Sequence, residues 1–298
     1  MNSKSAKVTT IGTFDGIHIG HQKILKRVVK LAKKQDYEPV VLTLFPHPRM
    51  VLQKDDSIKL LNTIDERVAL LKSFGIKDVI VKTFTKEFAN LSAKDYVKQI
   101  LVEELNTKQI VIGYDHHFGK NRSANINDLK VFAEQYDFKI EEISAQDIED
   151  VTVSSTKIRN ALDNGEVALA NSFLGYNYYI TGVVVKGKGL GRTINFPTAN
   201  IDIKEDYKLI PKDGVYVIKS NIENKTVYGM MNIGTNPTVG GKSRTIEVHI
   251  FNYNKDFYNT ELKIEFLKRL RSEQKFKNIA ALKKQLIKDK NTALEYIK

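Results

Sequence analysis

Apolar positions in the first 175 residues alternate between short unbroken runs and helical stripes. Val8–Ile11 is a β-rich run ended by Gly12, after which Ile24, Leu25, Val28, Val29 and Leu31 recur at helical spacing. Pro39–Phe45 is a continuous apolar run of the kind that fills a sheet buried on both faces. Thr63–Phe74 reads as a helix closed by Gly75 and followed by a strand, Asp78–Val81. Ala93–Leu105 is helical, Gln109–Ile112 a strand and Ile126–Tyr136 helical again. Two last helical pieces come next, Ser155–Leu162 before Gly165 and Glu166–Leu174 before Gly175. Strands alternating with helices predict a parallel sheet covered by helices on both faces.

Near residue 178 the period changes. Tyr178–Val185, Gly214–Ser220, Thr226–Asn232, Thr245–Phe251 and Glu261–Phe266 are short β-type runs separated by Gly, Asn and Pro turns. Five strands at this spacing predict a small antiparallel barrel or sandwich. Phe276, Ile279, Ala280, Leu282, Leu286 and Ile287 form a stripe that would pack a C-terminal helix onto it. No low-complexity linker separates the halves, so the boundary is placed tightly, giving 1–178 as an α/β domain and 179–298 as a β domain. A length of 298 residues accommodates both.

Composition narrows the chemistry. The chain has no cysteine, which excludes disulfides, thiolate zinc sites, iron–sulfur clusters and a Cys nucleophile. No apolar run approaches the ~18 residues of a membrane span, and the start MNSKSAKVTTIGTFDG has no hydrophobic leader, so a cytoplasmic protein is expected. The net charge of +12 is uneven: residues 1–180 contribute +2 and residues 181–298 contribute +10. A basic half fits nucleic acid, an anionic membrane or phosphorylated ligands, or is only a solvated lysine-rich surface. Tyr216, Tyr228 and Phe251 could serve as stacking platforms for a nucleic acid, or as core.

Motifs decide among these. Gly12-Thr-Phe-Asp-Gly-Ile-His-Ile-Gly-His21 lies between a strand and a helix, at the carboxyl edge of a parallel sheet where ligands bind. His18 and His21 share a face at a helix amino end, which offers free N–H groups and partial positive charge to phosphate. In the second half, Gly182–Gly189 matches the start of a P-loop but lacks its Ser/Thr, and its valines belong to a strand. What remains is a glycine-rich basic flap, Lys186–Arg192, ahead of Pro197-Thr-Ala-Asn200. Thr198 and Asn200, two apart in an extended segment, can turn neutral oxygens toward one Mg²⁺–ATP. His116 and His117 have no spaced partner and read as loop residues rather than metal ligands.

GTFDGIHIGH resembles the nucleotidylyltransferase motif, and six downstream segments narrow the likeness to one family. Phe45–Pro48, Gly113–Gly119, Val153–Arg159, Gly191–Asn200, Asn232–Thr238 and Ile246–His249 occur in the order found in bacterial bifunctional riboflavin kinase/FAD synthetases. The resemblance implies a Rossmann-like, nucleotidylyltransferase-like domain with a parallel sheet, followed by a small antiparallel β-barrel kinase domain with a C-terminal helix. It implies phosphorylation of riboflavin to FMN by the second domain and adenylylation of FMN to FAD, releasing pyrophosphate, by the first. Gly12, Phe14, Asp15, Gly16, His18, His21, Asp115, Ser155, Thr156 and Arg159 are then implied for ATP and phosphate binding, with His18 and His21 stabilising the transition state. Gly187, Lys188, Gly189, Gly191, Arg192 and Arg271 would bind ATP or flavin in the kinase, Thr198 and Asn200 would hold magnesium, and Glu247 would be the general base. The partners implied are ATP, riboflavin and FMN, with Mg²⁺ accompanying ATP and no nucleic acid or membrane. Ala124 stands where the family commonly has glycine, which leaves open a kinase with a weak or inactive adenylyltransferase module; Asn195 also replaces a common glycine, in the flap, but touches no implied ligand. A lipid-headgroup cytidylyltransferase would explain the histidine pair but leave Pro197–Asn200 and Ile246–His249 unexplained. A nucleotidylyltransferase fused to a nucleic-acid-binding barrel would need aromatic platforms, but Tyr216, Tyr228 and Phe251 are isolated in the sequence.

Overall fold

The computed structural model describes residues 5–55, 57–114, 116–144, 153–186, 191, 194, 196–238, 241–253 and 257–298. Asp115, Gly187, Lys188, Gly189, Arg192 and Asn195 lie outside the described residues. The chain divides into two compact units, Met1–Ser155 and Thr156–Lys298.

The first unit is built on a five-stranded sheet of order β3-β2-β1-β4-β5, with every pairing parallel. Its strands are β1 (Lys7–Ile11), β2 (Glu38–Phe45), β3 (Asp78–Thr83), β4 (Thr107–Gly113) and β5 (Lys139–Ile143). Helix α1 (Ile19–Gln35) follows β1, α2 (Ile64–Ser73) follows β2 and α3 (Ile126–Tyr136) follows β4. Leu25, Val28 and Leu31 of α1 and Leu71 of α2 pack with Val8, Val41 and Val111 on one face. Leu101, Leu105 and Leu129 pack with Leu42, Ile110 and Ile112 on the other. Alternate residues of β2 and β4 thus serve opposite cores, which is why those strands read as unbroken apolar runs. The order turns back between β1 and β4, so the crevice for a ligand opens at their carboxyl ends.

Two features of this unit go beyond the apolar pattern. The segment 93–105 is not a single α-helix: it winds as a π-helix over Tyr96–Glu104. Strand β5 has no counterpart among the apolar runs of the sequence, because its KIEEI segment sits at the sheet edge, where alternation with charged residues is tolerated.

The second unit is a closed barrel of order β10-β7-β6-β11-β8-β9, all antiparallel, which settles barrel over sandwich. It has β6 (Tyr179–Val185), β7 (Ala199–Asp202), β8 (Gly214–Ile222), β9 (Lys225–Thr238), β10 (Gly241–Ile250) and β11 (Glu261–Arg271). Six strands replace the five expected, because β7 has only four residues and begins directly after the Pro197-Thr198 step. Val248, Met231 and Tyr216 are cross-strand partners in the barrel interior, with Tyr216 edge-on to Phe266 at 5.2 Å. The adjacent row, Val217 and Met230, faces outward and is covered by the C-terminal helix α6 (Ile279–Ile297) through Leu282, Leu286 and Ala293. Phe251 and Tyr228 belong to that same outer core, so the proposed stacking platforms are packing residues. Helices α4 (Ser155–Asn164) and α5 (Val167–Leu174) precede the barrel. Asn171 of α5 donates to the Phe266 carbonyl at 2.9 Å, and the Lys212 amide donates to Leu162 of α4 at 3.0 Å.

Candidate active sites

The β1–α1 loop carries the first candidate site. Phe14, Gly16 and Ile17 all take positive φ, at 47°, 83° and 37°, which coils Thr13–His18 into a tight turn before the helix. At Gly16 the absence of Cβ removes that penalty; at Phe14 and Ile17 the packing must hold the angle. Both side chains are buried in the α1-side core, and the Ile17 amide donates to the Phe14 carbonyl at 3.3 Å.

Asp15 points into the protein. Its carboxylate accepts from the amides of Leu61 at 3.0 Å and Asn62 at 3.3 Å and lies 3.6 Å from the Arg67 guanidinium, both side chains being almost fully buried. The Asn62 side chain in turn accepts from the Gly16 amide at 2.9 Å. Asp15 therefore ties the loop to the segment ahead of α2. Its backbone carbonyl accepts from the Ser155 hydroxyl at 2.8 Å, within the same unit.

His18 is the N-cap of α1: its Nδ1 accepts from the His21 amide at 3.4 Å. An accepting Nδ1 carries no proton, so the neutral ring keeps its hydrogen on Nε2, available to a phosphate oxygen. The two imidazoles stack with centroids 3.7 Å apart, and Phe14 meets His21 edge-on at 5.1 Å. Burial pushes the His18 pKa down to about 4, against an opposing pull from Asp15. Burial also lowers His21 well below the usual histidine value, helped by His18 and by the charge of Arg67. Both rings are neutral at pH 7. The buried Nδ1 of His21 has no hydrogen-bond partner among the described residues, an unsatisfied polar atom of the kind a ligand or water resolves.

Thr156 and Arg159 lie on the first turns of α4, exposed and half-buried respectively. The loop after β4 closes through mutual backbone hydrogen bonds between Phe118 and Ala124 at 3.0 and 3.1 Å. Positive φ in this loop falls on Gly119, Asn121 and Arg122 rather than on Ala124, so a glycine is not required at Ala124.

The second candidate site lies on the outside of the barrel. In the β10–β7 and β10–β9 ladders, Glu247 stands opposite Asn200 on one side and Asn232 on the other. Directly paired residues share a face, so Asn200, Glu247 and Asn232 form one row. The Thr198 hydroxyl donates to Glu247 Oε2 at 3.3 Å, leaving its lone pairs open. Gly191 is held against this group: its carbonyl accepts from the Ile194 and Phe196 amides at 3.2 and 2.9 Å, and a Cβ there would lie 2.1 Å from the Phe196 carbonyl oxygen. No side chain fits at that point of the flap.

The row continues through Val215 to Arg271. Arg271 makes a bidentate ion pair with Asp289 of α6, with contacts of 2.8 to 3.1 Å, and lies 5.8 Å from the Phe276 ring. Gln285 adds a hydrogen bond to Asp289 at 2.7 Å. Arg271 thus anchors α6 beside the row. Asn62, Arg67 and Asn232 join these sites without having been expected there, and His249 lies two residues beyond Glu247 on the same strand. Asn232 and His249 stood inside motifs already singled out, whereas Asn62 and Arg67 become visible only once Asp15 is seen to point inward.

Known proteins align with both units. Residues 1–157 match the model of the FAD synthetase family and residues 174–297 that of the riboflavin kinase family. A bifunctional riboflavin kinase/FMN adenylyltransferase from Bacillus subtilis (strain 168) is 36% identical over 98% of this chain and 93% of its own length. One of the same name from Buchnera aphidicola subsp. Schizaphis graminum is 37% identical over 99% of this chain and 95% of its own. A crystal structure titled as a macrolide-efflux protein from Streptococcus pneumoniae superposes with a TM-score of 0.88 at 32% identity, covering 98% of this chain and 95% of that one. Among the described residues, no helix is long and apolar enough to cross a membrane. With both modules matched in order and relatives aligned over nearly the whole length, the chain belongs to the bifunctional riboflavin kinase/FMN adenylyltransferase family.

Proposed function

We propose that this chain makes FAD from riboflavin in two ATP-dependent steps, one in each module. The observation that carries the kinase step is the cluster of Thr198, Asn200 and Glu247 on neighbouring strands, a hydroxyl and an amide beside a carboxylate. Glu247 accepts the proton of the riboflavin 5′-hydroxyl as its oxygen bonds to the γ-phosphorus of ATP and ADP leaves. Thr198 and Asn200 supply hard, neutral oxygens, a donor set that suits a magnesium ion already carried by phosphates. Among the described residues no group of three or more His, Cys, Asp or Glu could hold a metal by itself. The ion would neutralise charge on the transferred phosphoryl group. Gly191, packed against Thr198, borders the nucleotide, and Arg271 borders the flavin side.

In the first module the FMN phosphate attacks the α-phosphorus of ATP directly and pyrophosphate departs, with no covalent enzyme intermediate. His18 Nε2–H and His21 hydrogen-bond the phosphates as charge builds on them, at the amino end of α1. Gly12, Phe14 and Gly16 shape the turn and Asp15 anchors it; for Asp115, Ser155, Thr156 and Arg159 a nucleotide-binding role rests on the family resemblance of their motifs. Both steps use ATP, which suits an enzyme of the cytoplasm, and neither requires a nucleic acid or membrane partner. We further propose 178/179 as the limit of the two catalytic modules, where β6 is about to begin.

Incubation with riboflavin, ATP and Mg²⁺ followed by separation of flavins tests the reading. FMN and FAD are expected; FMN alone would overturn the adenylyltransferase, and neither product would overturn both.

A further inference from the structure

Strand β10 presents a second polar side chain on the same outward face as Glu247. The Nδ1 of His249 lies 2.8 Å from the carbonyl oxygen of Pro197. A carbonyl only accepts, so Nδ1 carries the proton. The ring is held by Phe196 at 5.3 Å and Phe251 at 5.8 Å between centroids, which leaves it little rotational freedom. Burial lowers its pKa, with the Pro197 bond acting the other way and Lys290 adding to the lowering. The side chain is therefore a neutral donor at pH 7.

Its partner carbonyl occupies a weak point of the fold. β7 pairs with β10 only through Asn200–Glu247 and Ala199–Val248. The ladder stops at Ala199, and Pro197 has no N–H with which to extend it. Thr198 lies in the gap between the last ladder pair and the proline, yet its hydroxyl must stay against Glu247. A 3.3 Å contact at the end of a four-residue strand does not hold itself.

We infer that His249 is a positioning residue of the riboflavin kinase site: its Nδ1–H to the Pro197 carbonyl tethers the segment to β10 beyond the point where the ladder ends and fixes Thr198 beside Glu247. The inference rests on the kinase reading above. It predicts which atom of residue 249 matters. An asparagine places an N–H where Nδ1 stands, two bonds beyond Cβ, whereas a glutamine carries it one bond too far and a leucine has none.

The experiment is steady-state FMN formation by the full chain over a range of Mg²⁺–ATP concentrations, for His249→Asn, His249→Gln and His249→Leu. FMN-to-FAD conversion and thermal melting are measured on the same preparations. His249→Gln and His249→Leu should raise KM for Mg²⁺–ATP about tenfold, the equivalent of one lost hydrogen bond, while His249→Asn stays within about threefold of the parent. FAD formation from supplied FMN should be unchanged in all three. Equal KM values for the asparagine and glutamine variants, or a parental KM in the leucine variant, would overturn the inference. If His249→Leu fails to fold, the asparagine–glutamine pair decides alone. A parent chain that makes no FMN would instead bring down the kinase reading and this inference with it.

Discussion

His18 shows how one side chain is given two duties by its place in the chain. It caps α1 through Nδ1, and the same bond leaves the proton on Nε2, the atom proposed to meet a phosphate oxygen. Burial is what lowers its pKa to about 4, so the folded unit resists protonation of a ring that titrates near 6.5 when unfolded. Stability from this group is complete above pH 6.5 and falls by about 1.4 kcal/mol per pH unit below it, until the folded value is reached. Between pH 7 and pH 5 the first unit should therefore lose about 2 kcal/mol through His18 alone. Urea titrations of the chain without ATP at both pH values measure this. His18→Asn, which keeps a capping oxygen, should flatten that part of the dependence; an unchanged slope would show that the histidine is protonated without cost. At this scale the sequence was legible where motif residues meet directly, as the Thr198 hydroxyl and the Glu247 carboxylate do. It was not legible where a polar side chain turns inward. Asp15 reads as part of a phosphate motif, yet its carboxylate meets Leu61, Asn62 and Arg67, partners some fifty residues away that no local spacing announces.

Elements follow the same division. Strands β1, β2 and β4 are buried on both faces and declare themselves as apolar runs, whereas the edge strand β5 and the four-residue β7 do not. The omission of β7 hid the most useful relation in the kinase site, because only the ladder sets Asn200 opposite Glu247. The C-terminal helix was legible from its apolar stripe, but its anchor was not: Arg271 and Asp289 are 18 residues apart and meet by packing. Asp289 is nearly buried and Arg271 about one-fifth exposed, so Asp289→Ala strands a partly buried guanidinium. It should destabilise the barrel by about 2–3 kcal/mol, against less for Asp289→Asn, which keeps one hydrogen bond. Chemical denaturation of both variants checks the difference. Helices α4 and α5 provide a further test. Their hydrogen bonds to Lys212 and Phe266 make them part of the barrel's fold, even though they precede the proposed catalytic limit. A chain of residues 156–298 should melt at a higher temperature than one of residues 179–298. Equal melting temperatures would show that the two helices contribute no stability.

The whole molecule carries a net charge that looked like a functional clue and proves a poor guide. The +10 half holds the kinase, whose flavin substrate has no phosphate, and the nearly neutral half is assigned the more anionic FMN. Position, rather than overall charge, is what prepares each site: a helix amino end with two neutral imidazoles in one, a carboxylate between two asparagines in the other. Two sites with no residue in common imply separable activities. Glu247→Gln should abolish FMN formation and leave conversion of supplied FMN to FAD, while His21→Ala should do the reverse. The consequence is sharper when the two variants are mixed. Each chain then retains one complete site, so riboflavin is phosphorylated on His21→Ala molecules and the FMN must leave and be adenylylated on Glu247→Gln molecules. If FMN exchanges freely, the equimolar mixture makes FAD after a lag, and the lag shortens as total protein is raised. Product analysis over time at several protein concentrations measures it. If each variant keeps its single activity yet the mixture makes no FAD, FMN does not pass through solution, and the two reactions must be coupled within one chain.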